Sequence, residues 1–170
     1  MITLAPWKYK DIPQLENLYR NTDQRFCLVS VPVPLPFEQT RQYARAIRDQ
    51  LNDGKPFLCM AVKLDDVIIG KTELTKHSET EAELDIVIME SYTRQGYGTE
   101  ALQSLIRYAQ EKEWCASIAA YVRTDNEAAV KLLEKNGFQK GRRFKADILK
   151  PMDGQYILHT ADGMEYMLDL

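Results

Sequence analysis

A glycine turn, Thr93-Arg94-Gln95-Gly96-Tyr97-Gly98-Thr99, separates the apolar run Leu84-Asp85-Ile86-Val87-Ile88 from an amphipathic run spanning Glu100 to Trp114. The first run reads as a strand and the second as a helix. A strand feeding a short glycine loop that opens a helix gathers unpaired backbone N–H groups and the positive end of the helix dipole around one concave spot, and such a spot favours an anion. Gly96 and Gly98 let the backbone approach that anion without an intervening Cβ, and Arg94 adds a full charge beside the partial ones. A Gly-x-Gly turn also serves as a tight strand-to-helix connection with no ligand at all. The rest of the chain has to decide between the two.

Upstream, Phe57 to Leu64 and Val67 to Thr75 are β-like runs around an Asp65-Asp66 turn, and Glu81 to Met89 is a third, so a meander leads into the glycine loop. Downstream, Ser117 to Arg123 is strand-like and has to return beside the third run, which predicts a strand–helix–strand crossover. Asp125 or Thr124 is placed to cap a helix from Asn126 to Lys135, ended by Asn136-Gly137. Two Asp-Gly pairs, in Met152-Asp153-Gly154-Gln155 and Ala161-Asp162-Gly163-Met164, predict turns between strands near Arg143 to Leu149, Gln155 to His159 and Glu165 to Leu168. At the front, Ile2 to Trp7 reads as a strand. Asp11 with Pro13 reads as the start of a helix that carries Leu15, Leu18 and Tyr19 to Asn21. Cys27 to Pro36 is an extended apolar loop, because its alternate prolines delete donors and fix φ. It reads as a strap over the core or as a wall of a substrate pocket or a subunit contact, while Phe37 to Asn52 is an amphipathic helix. The order of elements is that of a mixed α+β domain.

A length of 170 residues fits one domain spanning 1–170, and a formal charge of −3 argues against a general nucleic-acid binder. No apolar run reaches the roughly 20 residues of a membrane span, and the start lacks a leader pattern, so a cytoplasmic protein is expected. Cys27, Cys59 and Cys115 are widely separated with no histidine beside them, and read as buried thiols rather than metal ligands or a disulfide. His77 and His159 fall in a polar turn and in the terminal hairpin and read as surface histidines.

Ala82-Glu83-Leu84 entering a strand, Gln95-Gly96-Tyr97-Gly98-Thr99-Glu100-Ala101-Leu102 opening a helix, then Asn126-Glu127-Ala128-Ala129 and Leu133-Glu134-Lys135-Asn136-Gly137-Phe138 together resemble the GCN5-related N-acetyltransferases (GNAT). Within that family the chain is similar to the branch that includes ribosomal-protein N-terminal acetyltransferases and many small-molecule acetyltransferases. The resemblance covers nearly the whole chain. It implies a mostly antiparallel mixed sheet of about six to seven strands, splayed at the cofactor site and flanked by about four helices.

It also implies acetyl-CoA as co-substrate and a primary amine, of a small molecule or a protein N-terminus, as acceptor. The pyrophosphate then belongs on Arg94, Gln95, Gly96, Tyr97, Gly98 and Thr99. The pantetheine arm belongs along Ile86, Val87, Ile88 and Met89 where that strand parts from the next, and Asn126 helps to hold the arm. An alkyl ammonium with a pKa of about 10.4 is neutral in only about one molecule per few thousand at pH 7, so direct attack on the thioester gains from a proton acceptor. Glu83 is the implied acceptor, and Asp85 shares its strand face. A solvated strand face is the plain alternative for both carboxylates, and a helix cap the plain alternative for Asn126. Two positions depart from the resemblance: Thr93 stands where Gln or Arg is usual, and Leu133 where many members have a tyrosine that protonates the leaving thiolate. Tyr92, Tyr121 and Tyr166 have the right group for that task. The departures also admit another class, a non-catalytic domain that binds acyl-CoA as a sensor. The exposed edges of terminal strands leave a homodimer open.

Overall fold

A computed structural model of the chain describes residues 1–11, 13–22, 42, 57–152 and 155–170. The expected loop from Cys27 to Pro36, with Cys27 itself, lies outside the described residues, as does the expected helix from Phe37 to Asn52 apart from Gln42. The strands are β1 (Ile2–Pro6), β2 (Phe57–Leu64), β3 (Val67–Lys76), β4 (Glu81–Ile88), β5 (Ser117–Arg123), β6 (Gln139–Met152) and β7 (Gln155–Asp169). The described helices are α1 (Gln14–Arg20), α2 (Tyr97–Glu111) and α3 (Glu127–Lys135). All seven strands join one sheet in the order β1-β2-β3-β4-β5-β7-β6. Every neighbouring pair is antiparallel except β4 and β5.

That parallel pair is short. Glu81 lies opposite Ser117, Ala82 opposite Ile118 and Glu83 opposite Ala119, and there the ladder stops although both strands continue. On its other edge β4 stays paired with β3 along its length, from Ala82 opposite Lys76 to Ile88 opposite Gly70. The sheet is therefore open like a V between β4 and β5, with its apex at Glu83 and its mouth at the glycine turn.

The two faces of the sheet are covered differently. On one face Leu74, Ala82, Leu84, Ile118, Ala120, Val122 and Tyr166 pack against Leu102, Leu105 and Ala109 of α2 and Leu133 of α3. Ile2, Val62 and Ile69 extend this core under Ala101 of α2. On the opposite face Cys59, Ala61 and Ile68 pack against Trp7 and Leu15 of α1. Burying so many aliphatic side chains of about 2 kcal/mol each holds the sheet between its layers. Cys59 and Cys115 are free and buried, and burial raises the Cys115 thiol pKa against a smaller opposing pull from Lys76.

Several sequence expectations are corrected here. Asp11 does not cap α1, which begins after Pro13 without a side-chain cap. Its carboxylate instead accepts from the Lys8 backbone N–H and from Lys63 Nζ, each at 3.1 Å. The helix after the glycine turn begins at Tyr97 and ends at Glu111, short of Trp114, where Glu113 turns to φ 47° and the Trp114 N–H bonds back to the Ala109 carbonyl. The cap of α3 is neither Thr124 nor Asp125 but Asn126, whose Oδ1 accepts from the Ala129 N–H at 3.2 Å, while Asp125 is held by the Arg123 guanidinium at 2.6 Å and 2.9 Å. The terminal segment is one long hairpin. Met152 pairs with Gln155, with Asp153 and Gly154 between them outside the described residues, and β7 then runs unbroken through Asp162-Gly163. Gly163 is not there to turn the chain: a Cβ on it would collide with the Phe144 ring, so glycine makes room for an aromatic across the ladder.

Candidate functional site

The mouth of the V is built by the glycine turn. After β4 the backbone makes a 3-10 turn at Glu90–Tyr92, and Arg94 and Gly96 then take positive φ values of 58° and 90°. Left-handed residues beside right-handed ones aim successive N–H groups into a common concavity. Gly96 is the N-cap of α2 and has no side chain with which to bond the first N–H groups of the helix. Thr93 and Gln95 are used to shape the turn: Thr93 Oγ1 donates to the Glu90 carbonyl at 2.8 Å and Gln95 Nε2 to the Ser91 carbonyl at 2.9 Å. Packing does not require a glycine at 98. A Cβ there would meet only Ile88 Cγ1 and Leu132 Cδ2, both at an ordinary 3.9 Å. Gly98 thus lies where the end of β4, the start of α2 and the flank of α3 converge.

Ladder parity fixes which backbone groups of β4 face the opening. The His77 N–H donates to the Glu81 carbonyl at 3.0 Å and the Met89 N–H to the Ile69 carbonyl at 2.8 Å. Odd-numbered residues of β4 therefore exchange their bonds with β3. The N–H and C=O groups of Ile86 and Ile88 point the other way, toward β5, past the last rung at Glu83. Of the four expected arm-binding residues, Ile86 and Ile88 offer backbone to the opening and Val87 and Met89 belong to the β3 ladder.

The face of the sheet that carries α1 also carries charged groups around the apex. Glu83, 42% exposed, is hydrogen-bonded through Oε2 to His77 Nε2 at 2.6 Å. His77 is thus a partnered histidine rather than a plain surface one. Asp85, the next carboxylate on the same face, is held by Lys71 Nζ at 2.6 Å, and that ammonium also contacts Glu73 at 2.9 Å. The Lys71 side chain is only 3% exposed, so both carboxylates help to solvate a buried cation. Tyr121 stands on β5 just beyond the last rung, its ring edge-on to Phe144 with centroids 5.8 Å apart. Burial raises its phenol pKa, and the Glu165, Glu83 and Glu81 charges add to the rise against a hydrogen bond from Arg142 that lowers it.

The other two tyrosines are placed elsewhere. Tyr166 is 1% exposed in the core under α3 and donates to Glu134 Oε1 at 3.2 Å. Tyr92 packs against Tyr97, centroids 6.3 Å apart, as part of the turn. Leu133 is a core residue of α3. Asn126 is a helix cap, on the α3 side of the opening. His159 is exposed. Sequence reasoning missed His77 as a partner of Glu83 and Lys71 as the counter-ion of Asp85. The signal for the first lay in the hairpin register, which sets His77 opposite Glu81 and diagonal to Glu83 on one face.

Among the described residues no helix is long and apolar enough to cross a membrane. The architecture is shared by several solved proteins. One is a ribosomal α-N-protein acetyltransferase in complex with coenzyme A (TM-score 0.76, 16% identity, covering 99% of this chain and 94% of that one). A second is the ribosomal-protein-alanine N-acetyltransferase from Brucella melitensis (TM-score 0.75, 19% identity, 100% and 99% coverage). A third is the spermidine/spermine N-acetyltransferase from Vibrio cholerae (TM-score 0.71, 20% identity, 99% and 93% coverage). At such identities the likeness is one of fold. No curated protein sequence matches the chain closely enough to count as a relative. The family model for the acetyltransferase (GNAT) domain matches residues 1–139, and with the strand order and the opening between β4 and β5 it establishes that the chain belongs to the GNAT acetyltransferase family.

Proposed function

We propose that this chain is an acetyl-CoA-dependent N-acetyltransferase that acylates a primary amine, of a small molecule or a protein N-terminus, by direct attack. The observation that carries the reading is the parallel ladder that ends at Glu83 opposite Ala119 beside an uncapped glycine turn. An opened ladder presents the Ile86 and Ile88 amide groups to an amide-bearing arm as an added strand would be bound. The N–H groups from Arg94 to Thr99, the α2 dipole and the Arg94 guanidinium suit a pyrophosphate, and Gly98 adds no side chain to the start of the helix. Acetyl-CoA supplies an activated acetyl thioester. Glu83, at the apex, accepts the proton of the attacking amine, and Asp85 is committed to Lys71 instead. Tyr121 is the phenol bordering the opening, and, protonated at neutral pH as phenols are, it can donate toward the departing sulfur.

Solved proteins of similar fold include a ribosomal α-N-protein acetyltransferase and a spermidine/spermine N-acetyltransferase, and either acceptor class suits a face with exposed carboxylates. Calorimetric titration with coenzyme A and thiol release from acetyl-CoA across a panel of amines and peptide N-termini test the reading together. Saturable coenzyme A binding and transfer to at least one amine are expected. Glu83→Gln should lower kcat by about a hundredfold with coenzyme A affinity unchanged. Binding without transfer to any amine would favour the acyl-CoA sensor, for which the aliphatic Leu133 speaks, and no binding would remove the whole account.

A further inference from the structure

We infer that His77 is the second member of a proton relay, taking from Glu83 the proton that Glu83 removes from the acceptor amine and releasing it to water. The inference rests on the acetyltransfer reading above. The geometry that points to it is local and specific. Glu83 occupies the last rung before the sheet opens, so its carboxylate borders the opening, and its Oε2 is 2.6 Å from His77 Nε2. His77 lies on the side of Glu83 away from the mouth, at the start of the β3–β4 turn, with its side chain 50% exposed. One end of the imidazole therefore touches the carboxylate and the ring as a whole reaches solvent.

The turn fixes this arrangement. The His77 and Ser78 N–H groups both bond the Glu81 carbonyl, at 3.0 Å and 3.3 Å, and Ser78 Oγ accepts from the Glu81 N–H at 3.0 Å. The backbone under His77 is thereby pinned to β4 two residues from Glu83. On this face the pair is flanked by Glu81 and by Asp85 with its partner Lys71, and by Tyr121 of β5, whose own charged neighbours are Glu165 and Arg142. No lysine or arginine is bonded to Glu83 among the described residues, so the imidazole is its partner there.

Each turnover of the proposed reaction forms one N–C bond and breaks one C–S bond, and of the two protons the ammonium nitrogen loses, one restores the Tyr121 phenol that protonates the sulfur and the other is freed. A carboxylate that kept that proton would be spent for the next cycle. The amine proton passes to the Glu83 carboxylate, the carboxylic acid so formed passes a proton to Nε2 of the Nδ1–H imidazole of His77, and the imidazolium loses its Nδ1 proton to water. Proton exchange between the exposed ring and water returns the Nδ1–H tautomer, so both groups end as they began. Imidazole suits this step as the side chain whose two nitrogens can take a proton on one side and release one on the other.

The test uses the full chain with His77→Ala and His77→Gln, followed by thiol release from acetyl-CoA with an accepted amine. Both variants should lose about tenfold in kcat with the acetyl-CoA KM unchanged, and free imidazole should restore turnover to His77→Ala but not to Glu83→Gln. Nitrogen-15 NMR of the imidazole reads the pair without turnover: the Nε2 resonance should move when Glu83 is replaced by Gln. Unchanged kcat in the His77 variants, loss without imidazole rescue, or an Nε2 resonance indifferent to Glu83→Gln would each overturn the relay. A wild-type chain that binds coenzyme A yet acylates no amine overturns the acetyltransfer reading and the relay with it. An active wild type matched by its His77 variants overturns the relay alone.

Discussion

Glu83 and Asp85 are carboxylates two residues apart on one strand face, and their neighbours differ. Asp85 has a buried ammonium against it at 2.6 Å, whereas Glu83 has an imidazole and the edge of the opening. A carboxylate oxygen already occupied by a buried ammonium has one fewer place to offer an incoming amine. The same sorting applies to the tyrosines. Tyr121→Phe should lower kcat by roughly tenfold while leaving coenzyme A binding and thermal midpoint in place, as read by single-turnover kinetics and calorimetry. An unchanged kcat would leave the departing sulfur to electrostatic stabilisation alone. The place of Glu83 at the start of β4 was legible in the sequence because a motif surrounds it. Its histidine partner was not, because a pair across a hairpin depends on a register that no single segment encodes.

At the scale of elements, the glycine turn and α2 make the most exposed claim. Gly96 needs its φ of 90°, so it is a glycine for backbone reasons alone. Gly98 is helical and has room for a methyl group against the protein itself. Gly98→Ala should therefore keep or raise the thermal midpoint, since alanine in a helix is favoured over glycine by roughly 0.5–1 kcal/mol, and yet weaken coenzyme A binding by at least about tenfold. Unchanged affinity in a calorimetric titration would show that the cradle binds nothing at that point. Strands β2 to β5 follow from their β-like composition and polar turns. The misread elements share one cause. Asp125 looks like a cap until Arg123 claims it, and Asp162-Gly163 looks like a turn until Phe144 needs the space, so tertiary partners override local preference in both.

At the scale of the whole molecule, Asp11 ties the turn before α1 to β2, one strand in from the edge of the sheet, through Lys63. Burial pushes its carboxyl pKa up, but the bonds from Lys63 and the Lys8 N–H and the lysine charges outweigh that and hold it below its ordinary value. A depressed carboxyl pKa contributes stability that is fully present above the unfolded value of about 3.9 and is lost as pH falls through the folded value. Asp11→Asn should therefore cost about 2 kcal/mol in urea unfolding at pH 7, with the gap to wild type narrowing below about pH 4 and closing as the wild-type carboxyl itself becomes protonated. A gap that stays constant down to acid pH would mean that the charge of Asp11 contributes nothing.

What the sequence by itself determined was the class of fold, the meander into a glycine turn, and the residue types gathered at that turn, because these rest on local periodicity and on glycine's backbone freedom. Where β4 and β5 part, which backbone groups then face the opening, and which carboxylate meets an imidazole rather than a buried lysine were decided only by the tertiary structure. Those outcomes depend on register between strands distant in the chain, and register is a property of the assembled sheet.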